Sequence, residues 1–287
     1  MLKRTLGNTG YEIAPVVYGG IVSMSDGQTA SDQYVSYAIE HGINYFDVAP
    51  SYGDAQEKLG NSLFPYRKSI YLACKTGERR GESAQRELEE SFRLLKTDYF
   101  DNYQLHGLAS FADIETAFGP NGAMETLVRA KERGLTKKLG ITCHNEEVAL
   151  KALSLYDFDT VLFPLNWGLS LGKNFGLQIA KITKEKGIGL LGMKSLIYRS
   201  WINEEEHKTS RFPKSWCMPI SDNDDLKIAA IKYALSLGAD ALVPPGNFES
   251  FSFVVEHIDS CISHPLTEDD VTFLKEELKF INGRYFL

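Results

Sequence analysis

The 287-residue sequence predicts an α/β fold, a closed (β/α)8 TIM barrel that forms one domain over residues 1–287. Eight short apolar runs, rich in β-branched and aromatic residues, alternate with segments of helical periodicity. Because strands buried on both faces read as continuous apolar runs, these segments are typical of a parallel sheet. The length also suits a barrel of about 250 residues with additions at its ends.

The strand candidates are short and evenly distributed along the chain. They are VVYGG (16–20), NYFDV (44–48), IYLACK (70–75), FDNYQLH (100–106), KKLGIT (137–142), TVLFPL (160–165), GIGLLGMK (187–194) and DALVPP (240–245). Between them, residues such as Leu88, Phe92 and Leu95 follow the i, i+4, i+7 spacing of an amphipathic helix. Ser31 and Ser83 are predicted to be helix N-caps.

The sequence predicts two additions to the barrel. KRTLGNTGYEI (3–13) is expected to form an N-terminal β-hairpin that covers the bottom of the barrel. Thr267 to Asp270 predicts the capped start of an extra C-terminal helix. Its inward residues are expected to be Val271, Leu274, Leu278 and Ile281. An open doubly wound sheet is the main alternative, but GGIVSMSDG (19–27) lacks the GxGxxG that normally follows its first strand.

Composition excludes several classes of function. The net charge of −7 and the pI near 5.5 argue against a general nucleic-acid binder, which needs clustered Lys and Arg. No apolar run is long enough to span a membrane, and the N-terminal residues lack the apolar core of a signal peptide, so we expect a cytoplasmic protein. The cysteines show no metal-binding spacing, which predicts free thiols and no metal site. They are Cys74, Cys143, Cys217 and Cys261.

Four polar residues stand at or just after the ends of consecutive predicted strands. Asp47 ends the second strand, Tyr52 follows it in a loop, Lys75 ends the third and His106 ends the fourth. In a TIM barrel the carboxyl ends of the strands gather at one face, where the active site lies. The sequence therefore predicts that these side chains lie close together.

The four side chains form a chemically coherent set for proton transfer. A tyrosine has a pKa near 10, and a neighbouring cation favours its ionised form, so Lys75 is expected to lower the pKa of Tyr52. Asp47 is expected to pair with Lys75 and keep it charged, since a buried ammonium without a partner tends to lose its proton. His106 is expected to orient a substrate oxygen by a hydrogen bond.

With these residues in place, the chain resembles the aldo-keto reductase family over almost its whole length. The segment RTLGNTGYEIAPVVYGG resembles the hairpin and first strand of that family, FDVAPSYG its D-x-A-x-x-Y-G signature, ACK its strand-three lysine and YQLH its strand-four histidine. The resemblance implies hydride transfer between a nicotinamide cofactor and an aldehyde or ketone, such as a sugar-derived carbonyl. Tyr52 is then the general acid, Lys75 lowers its pKa, Asp47 anchors Lys75 and His106 positions the carbonyl.

The resemblance also implies the cofactor and the residues that hold it. The family binds NADP(H), less often NAD(H), in an extended conformation across the top of the barrel, and we expect NADP(H) in preference to NAD(H) here. Cys143 and Met193 stand where an asparagine and an aromatic residue are usual. The residues expected to contact the cofactor are Gly20, Thr142, Cys143, Asn166, Met193, Lys194, Leu196, Gly246 and Asn247.

The segment 197–223 is unusually long for a connection inside a domain, which predicts a lid or belt over the site. Three tryptophans, Trp167, Trp201 and Trp216, are candidates for the walls of a substrate pocket. The basic residues of the segment either hold a cofactor phosphate or are ordinary loop charges. They are Arg199, Lys208, Arg211 and Lys214.

Two functional alternatives to a reductase stay open at this point. One is a nicotinamide-binding sensor or regulatory protein with little turnover, because the expected cofactor contacts depart from the family pattern. The other is a lyase or epimerase that oxidises its substrate transiently with retained cofactor. The partner in each case is a small molecule, and the sequence does not predict an oligomeric state.

Overall fold

Eight parallel strands form the central sheet of the computed structural model, which describes residues 1–286. In chain order the strands are β1 (Arg4–Thr5), β2 (Glu12–Ile13), β3 (Tyr18–Gly19), β4 (Tyr45–Asp47), β5 (Tyr71–Thr76), β6 (Phe100–Leu108), β7 (Thr136–Cys143), β8 (Thr160–Pro164), β9 (Gly189–Met193), β10 (Ile197–Arg199), β11 (Met218–Pro219) and β12 (Ala241–Val243). The sheet runs β3-β4-β5-β6-β7-β8-β9-β12. Two backbone hydrogen bonds of 2.9 Å, from Val17 N to Leu242 O and from Leu242 N to Pro15 O, join its two edges. The predicted (β/α)8 barrel is confirmed.

Helices surround the barrel and follow its strands. They are α1 (Gln28–Glu40), α2 (Ala55–Leu63), α3 (Gly81–Leu95), α4 (Phe111–Phe118), α5 (Ala123–Glu132), α6 (Glu146–Leu155), α7 (Trp167–Lys173), α8 (Leu177–Lys186), α9 (Glu204–Thr209), α10 (Asp224–Ser236), α11 (Phe248–Ser263) and α12 (Glu268–Ile281). Short 3-10 helices occupy Gly20–Ser23 and Phe64–Ser69. Along the described chain, each of these helices is too short or too polar to span a bilayer.

Alternation along the strands decides which side chains enter the barrel. Tyr45 and Ala73 belong to the apolar cluster that fills the barrel interior, whereas Phe46 belongs to the layer between the strands and the helices. Since side chains alternate along a strand with a period of two, Asp47 and Lys75 also point inward. The interior is therefore apolar below and polar at the carboxyl ends of β4 and β5.

The N-terminal hairpin closes the bottom of the barrel, as predicted. Arg4 pairs with Ile13 in an antiparallel register, and the buried side chain of Leu6 belongs to the interior cluster. The turn must contain a glycine, because Gly7 has a φ of +45° and a side chain there would meet the backbone nitrogen of Gly189 at 2.3 Å.

The extra C-terminal helix is also confirmed. Thr267 and Asp270 form a reciprocal capping box at the start of α12. Leu274 and Ile281 are fully buried against the barrel helices, and Leu278 is half-buried against the same core.

The predicted caps at Ser31 and Ser83 are wrong. Gly27 precedes the first residue of α1 and Arg80 precedes that of α3, so both serines lie inside their helices. The Ser31 hydroxyl is buried and bonds the side chains of Ser23 and Ser62, at 2.9 and 3.1 Å. A serine near a helix start has the same local pattern whether it caps the helix or forms such a tertiary contact.

The four cysteines are free, as expected, and all four are buried.

Candidate active site

Asp47 and Lys75 form a buried ion pair at the carboxyl ends of β4 and β5. The Lys75 ammonium contacts Asp47 Oδ2, and the two side chains are 0% and 2% exposed, respectively. The same ammonium lies 3.3 Å from the Val48 carbonyl oxygen and 3.4 Å from the Tyr52 hydroxyl. Three of the four predicted residues therefore share one set of contacts.

The turn after β4 directs Tyr52 back over the mouth of the barrel. Its amide donates to the Ala49 carbonyl oxygen at 3.1 Å, and Gly53 follows with a φ of +54°. A left-handed residue at this point reverses the chain, and glycine adopts that conformation without strain. The Tyr52 side chain is 8% exposed, with its ring centroid 4.9 Å from the Lys75 ammonium.

His106 completes the predicted set from β6. Its ring stands edge-on to the Tyr52 ring, with the centroids 5.8 Å apart. The Arg79 guanidinium donates to the carbonyl oxygens of His106 and Gly107, each at 2.9 Å, and the Gly107 amide donates to Thr142 Oγ1 at 2.7 Å. These bonds fix the backbone that carries the imidazole.

Burial dominates the electrostatics of these groups. It raises the pKa of Tyr52 above the ordinary value of 10, and the Lys75 ammonium acts against that rise. The effect of Lys75 on the pKa of Tyr52 therefore has the expected direction, but burial has the larger effect and the net pKa lies above the ordinary value. Burial acts to lower the pKa of Lys75, but Asp47 and Tyr52 together act against it and the pKa is raised. Burial, reinforced by Lys75, lowers the pKa of His106 to about 3, so its imidazole is neutral at physiological pH.

A pocket opens beside the Tyr52 hydroxyl at the top of the barrel. Together with the solvent-filled space at its mouth it measures about 610 Å³, and its walls are mostly apolar. It is lined by Gly19, Ile21, Asp47, Tyr52, Leu162, Met193, Lys194, Ile197, Lys214, Ser215, Trp216, Val243, Pro244, Pro245 and Gly246. Among the residues expected to contact cofactor or substrate, it thus contains Met193, Lys194, Gly246 and Trp216.

The long segment 197–223 crosses the top of the barrel. Strands β10 and β11 pair antiparallel at its ends, with α9 between them. The Lys214 ammonium donates to the Val22 carbonyl oxygen at 2.8 Å and pairs with Asp26 at 2.5 Å, which ties the segment to the loop after β3. The segment therefore forms one wall of the pocket, and its role as a cofactor belt stays a prediction.

The other basic residues of this segment are engaged in ion pairs away from the pocket lining. Arg199 pairs with Glu206, and Lys208 pairs with Glu204 on the same short helix. Arg211 pairs with both Asp222 and Glu249. These three are ordinary structural or surface charges in this conformation, whereas Lys214 faces the pocket.

Several residues that are expected to contact the cofactor form hydrogen bonds to other residues of the protein. Thr142 accepts the bond from Gly107. Cys143 is fully buried, with its thiol 2.9 Å from the Leu108 carbonyl oxygen. Asn166 caps α7 and donates to the carbonyl oxygens of Lys194 and Ile197, at 3.0 and 2.8 Å. Their polar groups hold the end of β6 and the segment after β9, while the Thr142 hydroxyl can still donate a hydrogen bond; the predicted contacts of these residues to a cofactor stay predictions.

Two of the predicted tryptophan walls are wrong in placement. Trp167 is the first residue of α7 and is fully buried in the outer core, and Trp201 lies outside the pocket with its indole nitrogen donating to the Ser215 carbonyl oxygen at 2.9 Å. Trp216 does line the pocket, with its ring centroid 6.1 Å from that of Tyr52. The helix-forming turn after β8 carries Trp167 out of the barrel, which the sequence pattern did not reveal.

Two other predicted cofactor residues also lie behind the pocket surface. Gly20 is buried, and a side chain there would meet Val48 at 2.8 Å. Leu196 is fully buried, and its carbonyl oxygen accepts the Ile220 amide at 2.9 Å. Both residues pack beneath the loops around the pocket, and the expected contact of Leu196 with the cofactor, through its backbone amide, stays a prediction.

The start of α11 offers polar groups beside the pocket. Gly246 lines the pocket, and Asn247 next to it caps α11 by accepting the Ser250 amide at 2.7 Å. The Asn247 Nδ2 atom is buried and has no hydrogen-bond partner within residues 1–286. A donor left unpaired at a helix N-terminus suits a bound phosphate.

Sequence reasoning missed two residues next to the four predicted site residues. Gln104 is fully buried and donates to Asp47 Oδ1 at 2.8 Å, and Arg79 holds the His106 backbone. The signal for Gln104 was available: Asn102, Gln104 and His106 follow the period of two that places all three on the inner face of β6. Nothing in the local pattern around Arg79 indicated its role.

Comparisons with known proteins agree with this architecture. The family model described as the aldo/keto reductase family matches residues 20–242. A Bacillus subtilis protein described as an uncharacterized oxidoreductase is 30% identical over 50% of this chain and 49% of its own length. L-galactose dehydrogenase of Arabidopsis thaliana is 26% identical over 67% of this chain and 65% of its own length. The chain thus spans only about half to two thirds of these relatives.

A solved structure shows the same fold over nearly the whole chain. The holo form of an aldo-keto reductase from Bacillus halodurans superposes with a TM-score of 0.72 at 20% identity, over 96% of both chains. At that identity the likeness speaks for the fold alone. The family model, which covers most of the chain, goes further: this protein belongs to the aldo/keto reductase family.

Proposed function

We propose that this protein is an oxidoreductase that transfers a hydride between a nicotinamide cofactor and an aldehyde or ketone, with Tyr52 as general acid and base. The observation that carries the proposal is the continuous contact from Asp47 through Lys75 to the Tyr52 hydroxyl, at the edge of an apolar pocket. A phenol that is buried, next to an ammonium and open to a cavity can exchange a proton with a bound substrate.

Each residue has a distinct part in the proposed reaction. Tyr52 gives its proton to the substrate oxygen in reduction and takes it back in oxidation. Lys75 stabilises the phenolate that results, since a positive charge 3.4 Å away favours the ionised form. The neutral imidazole of His106 donates a hydrogen bond to the same substrate oxygen and holds it beside the phenol.

The residues around the pocket fit a dinucleotide in part. Lys194 and Lys214 on its walls, with the unpaired Asn247 amide beside Gly246, suit the phosphate groups. Met193 and Trp216 offer apolar surfaces for a flat ring. When bound, NADP(H) or NAD(H) supplies or accepts the hydride. Lys194 forms no ion pair within residues 1–286 and adds positive charge to the pocket, whereas the charge of Lys214 is shared with Asp26; on this ground the preference that we propose is for the more highly charged NADP(H).

The cofactor preference can be tested by binding alone. We expect NADPH to bind more tightly than NADH, and Lys194→Ala or Lys214→Ala to weaken NADPH binding about tenfold, the size of one charge-assisted hydrogen bond. Quenching of tryptophan fluorescence during titration measures both cofactors. Lys208→Ala is the control, because Lys208 pairs with Glu204 away from the pocket lining. NADH binding that equals or exceeds NADPH binding would reject the preference.

The substrate class is proposed from the pocket and the relatives. Its apolar walls suit a small carbonyl compound, and Trp216 is 60% exposed, so its ring is accessible to the face of a sugar. Relatives bear the names L-galactose dehydrogenase, methylglyoxal reductase and D-arabinose 1-dehydrogenase. The proposed substrate class is therefore tested with a panel of sugars, 2-oxoaldehydes and aromatic aldehydes.

Turnover on this panel tests the proposed function directly. We expect the purified protein to oxidise NADPH in the presence of at least one aldehyde and to reduce NADP⁺ with the corresponding alcohol, measured by absorbance of the reduced nicotinamide. Tight cofactor binding without turnover on any substrate would instead support a sensor. Product formation without net cofactor oxidation would support a lyase or epimerase.

A further inference from the structure

The inner face of β6 carries two buried amides below the catalytic histidine. Asn102 and Gln104 are both fully buried, and with His106 they form a column of polar side chains inside the barrel. Asn102 Nδ2 donates to the Tyr45 hydroxyl and to Thr160 Oγ1, at 3.0 and 2.8 Å. Gln104 instead donates to the site, with its Nε2 atom 2.8 Å from Asp47 Oδ1.

This bond completes the coordination of the buried carboxylate. Asp47 Oδ2 accepts a hydrogen bond from the Lys75 ammonium, and Asp47 Oδ1 accepts one from the Gln104 amide. A carboxylate withdrawn from water needs donors at both oxygens to stay ionised and fixed in orientation. Gln104 is therefore the far end of a chain of contacts that continues through Asp47 and Lys75 to Tyr52.

The packing around Gln104 is arranged for this contact. Lys75 and Gln104 are partners in the register of β5 and β6, so their side chains enter the barrel at the same level. Gly140 on β7 leaves room for the amide, since a side chain there would lie 3.1 Å from Gln104 Cγ and 2.2 Å from Thr160 Oγ1. With its Nε2 atom turned to Asp47, the amide fills this space as a donor to the carboxylate.

The orientation of the amide follows from the same contact. Gln104 Oε1 is buried and has no hydrogen-bond partner within residues 1–286. Exchanging the oxygen and the nitrogen of the amide would turn a carbonyl oxygen toward the Asp47 carboxylate, where two acceptors repel. Asn102 Oδ1 is buried and unpaired in the same way, so the bond to Asp47, and not the unpaired carbonyl, distinguishes Gln104 from Asn102.

We propose that Gln104 is a positioning residue of the proton-transfer site, which fixes the Asp47 carboxylate so that Lys75 is held against the Tyr52 hydroxyl. Its effect on turnover rests on the proposed function, whereas its effect on geometry does not. The groups around it that titrate or carry charge are Asp47 from β4, Lys75 from β5 and His106 from β6; β7 contributes Gly140 at this level.

Gln104→Met tests the contact, because methionine matches the length of the side chain and cannot donate. We expect kcat to fall about tenfold while KM and the dissociation constant of NADPH change little, since the lost bond acts on Asp47 and not on a ligand. A crystal structure of the variant should show the Asp47 carboxylate turned or the Lys75–Tyr52 separation longer than 3.4 Å. Unchanged geometry in that structure would overturn the proposal, whether or not the wild type turns over.

Gln104→Glu gives a second test with a signature in pH. A protonated carboxyl can still donate to Asp47, whereas an ionised one repels it. The ratio of the variant kcat to that of the wild type should therefore fall as pH rises between about 5 and 8. A ratio that stays constant would indicate a merely structural role. If Gln104→Met does not fold, crystals of Gln104→Glu at the two ends of this range give the same comparison of the Asp47 orientation.

Asn102→Leu is the matched control, as it removes a buried amide from the same face of the same strand. It breaks the bonds to Tyr45 and Thr160 and leaves Asp47 untouched. We expect lower stability to urea but an unaltered Lys75–Tyr52 separation and a kcat ratio independent of pH. An Asn102→Leu variant that moved Asp47 as Gln104→Met does would show that any cavity in the barrel has this effect, and would overturn the assignment to Gln104. Absence of turnover in the wild type would instead reject the proposed function, with the crystal structures still deciding the role of Gln104.

Discussion

Tyr52→Phe is expected to lower the rate of carbonyl reduction by about 10²- to 10⁴-fold, the usual contribution of a positioned general acid. The phenylalanine ring keeps the packing of the buried side chain and removes only the hydroxyl that lies 3.4 Å from the Lys75 ammonium. Cofactor binding should change little, because the loss concerns the proton and not the pocket walls. Steady-state oxidation of NADPH measures the rate, and fluorescence titration measures the binding.

Reduction and oxidation should depend on pH in opposite directions, because they use different protonation states of Tyr52. Reduction uses the protonated phenol, and burial raises the pKa of Tyr52, so reduction should be insensitive to this group at neutral pH and decline only in alkali. Oxidation uses the phenolate and should rise with pH. Tyr198→Phe, which removes a hydroxyl outside the pocket lining, is the control. A Tyr52→Phe enzyme with the turnover of that control would require a different proton donor.

Lys75→Met is expected to lower activity strongly and also to destabilise the fold. Removing one member of a buried ion pair leaves the other charge without compensation, at a cost of about 3–5 kcal/mol in the free energy of unfolding. Here the charge left without a partner is that of Asp47, whose side chain is 2% exposed. Turnover should fall by about 10²-fold or more, since the phenolate of Tyr52 loses its cation.

A double variant separates the two effects of Lys75. Asp47→Asn combined with Lys75→Met removes both charges, so we expect it to be more stable to urea than Lys75→Met alone and equally inactive. Equal stability of Lys75→Met and the wild type would mean that the pair is not buried as described. Lys186→Met, at a lysine that is 40% exposed and whose nearest carboxylate is 3.9 Å away, is a surface control for the substitution itself.

The proximity of the four residues proposed for proton transfer was predictable because it depends on strand order and strand ends alone. Asp47, Lys75 and His106 lie at the carboxyl ends of consecutive strands, and parallel strands in a barrel bring those ends together whatever the details of packing. Tyr52 follows within five residues of Asp47, too short a distance to leave the same mouth. Each of these positions is therefore set by the chain over a few residues and by the topology of the barrel.

The cofactor residues were less predictable because their orientation depends on loops. Asn166 and Cys143 lie close to the barrel mouth, yet their polar groups bond backbone carbonyl oxygens of neighbouring loops. Arg211, far along the chain from Glu249, pairs with it across the surface. No local pattern distinguishes a side chain that faces a pocket from one that satisfies a backbone group a few ångströms away.

By itself the sequence determined the barrel, the terminal hairpin and helix, and the four residues of the proposed proton-transfer site. Apolar periodicity and strand order carry that information, since burying both faces of a parallel sheet leaves few arrangements of the chain. Only the tertiary structure decided that Trp167 is core, that Lys214 reaches across to Asp26, and that Gln104 supports Asp47. Such contacts join residues distant in the chain, and their partners are chosen by the geometry of the closed barrel rather than by any local preference.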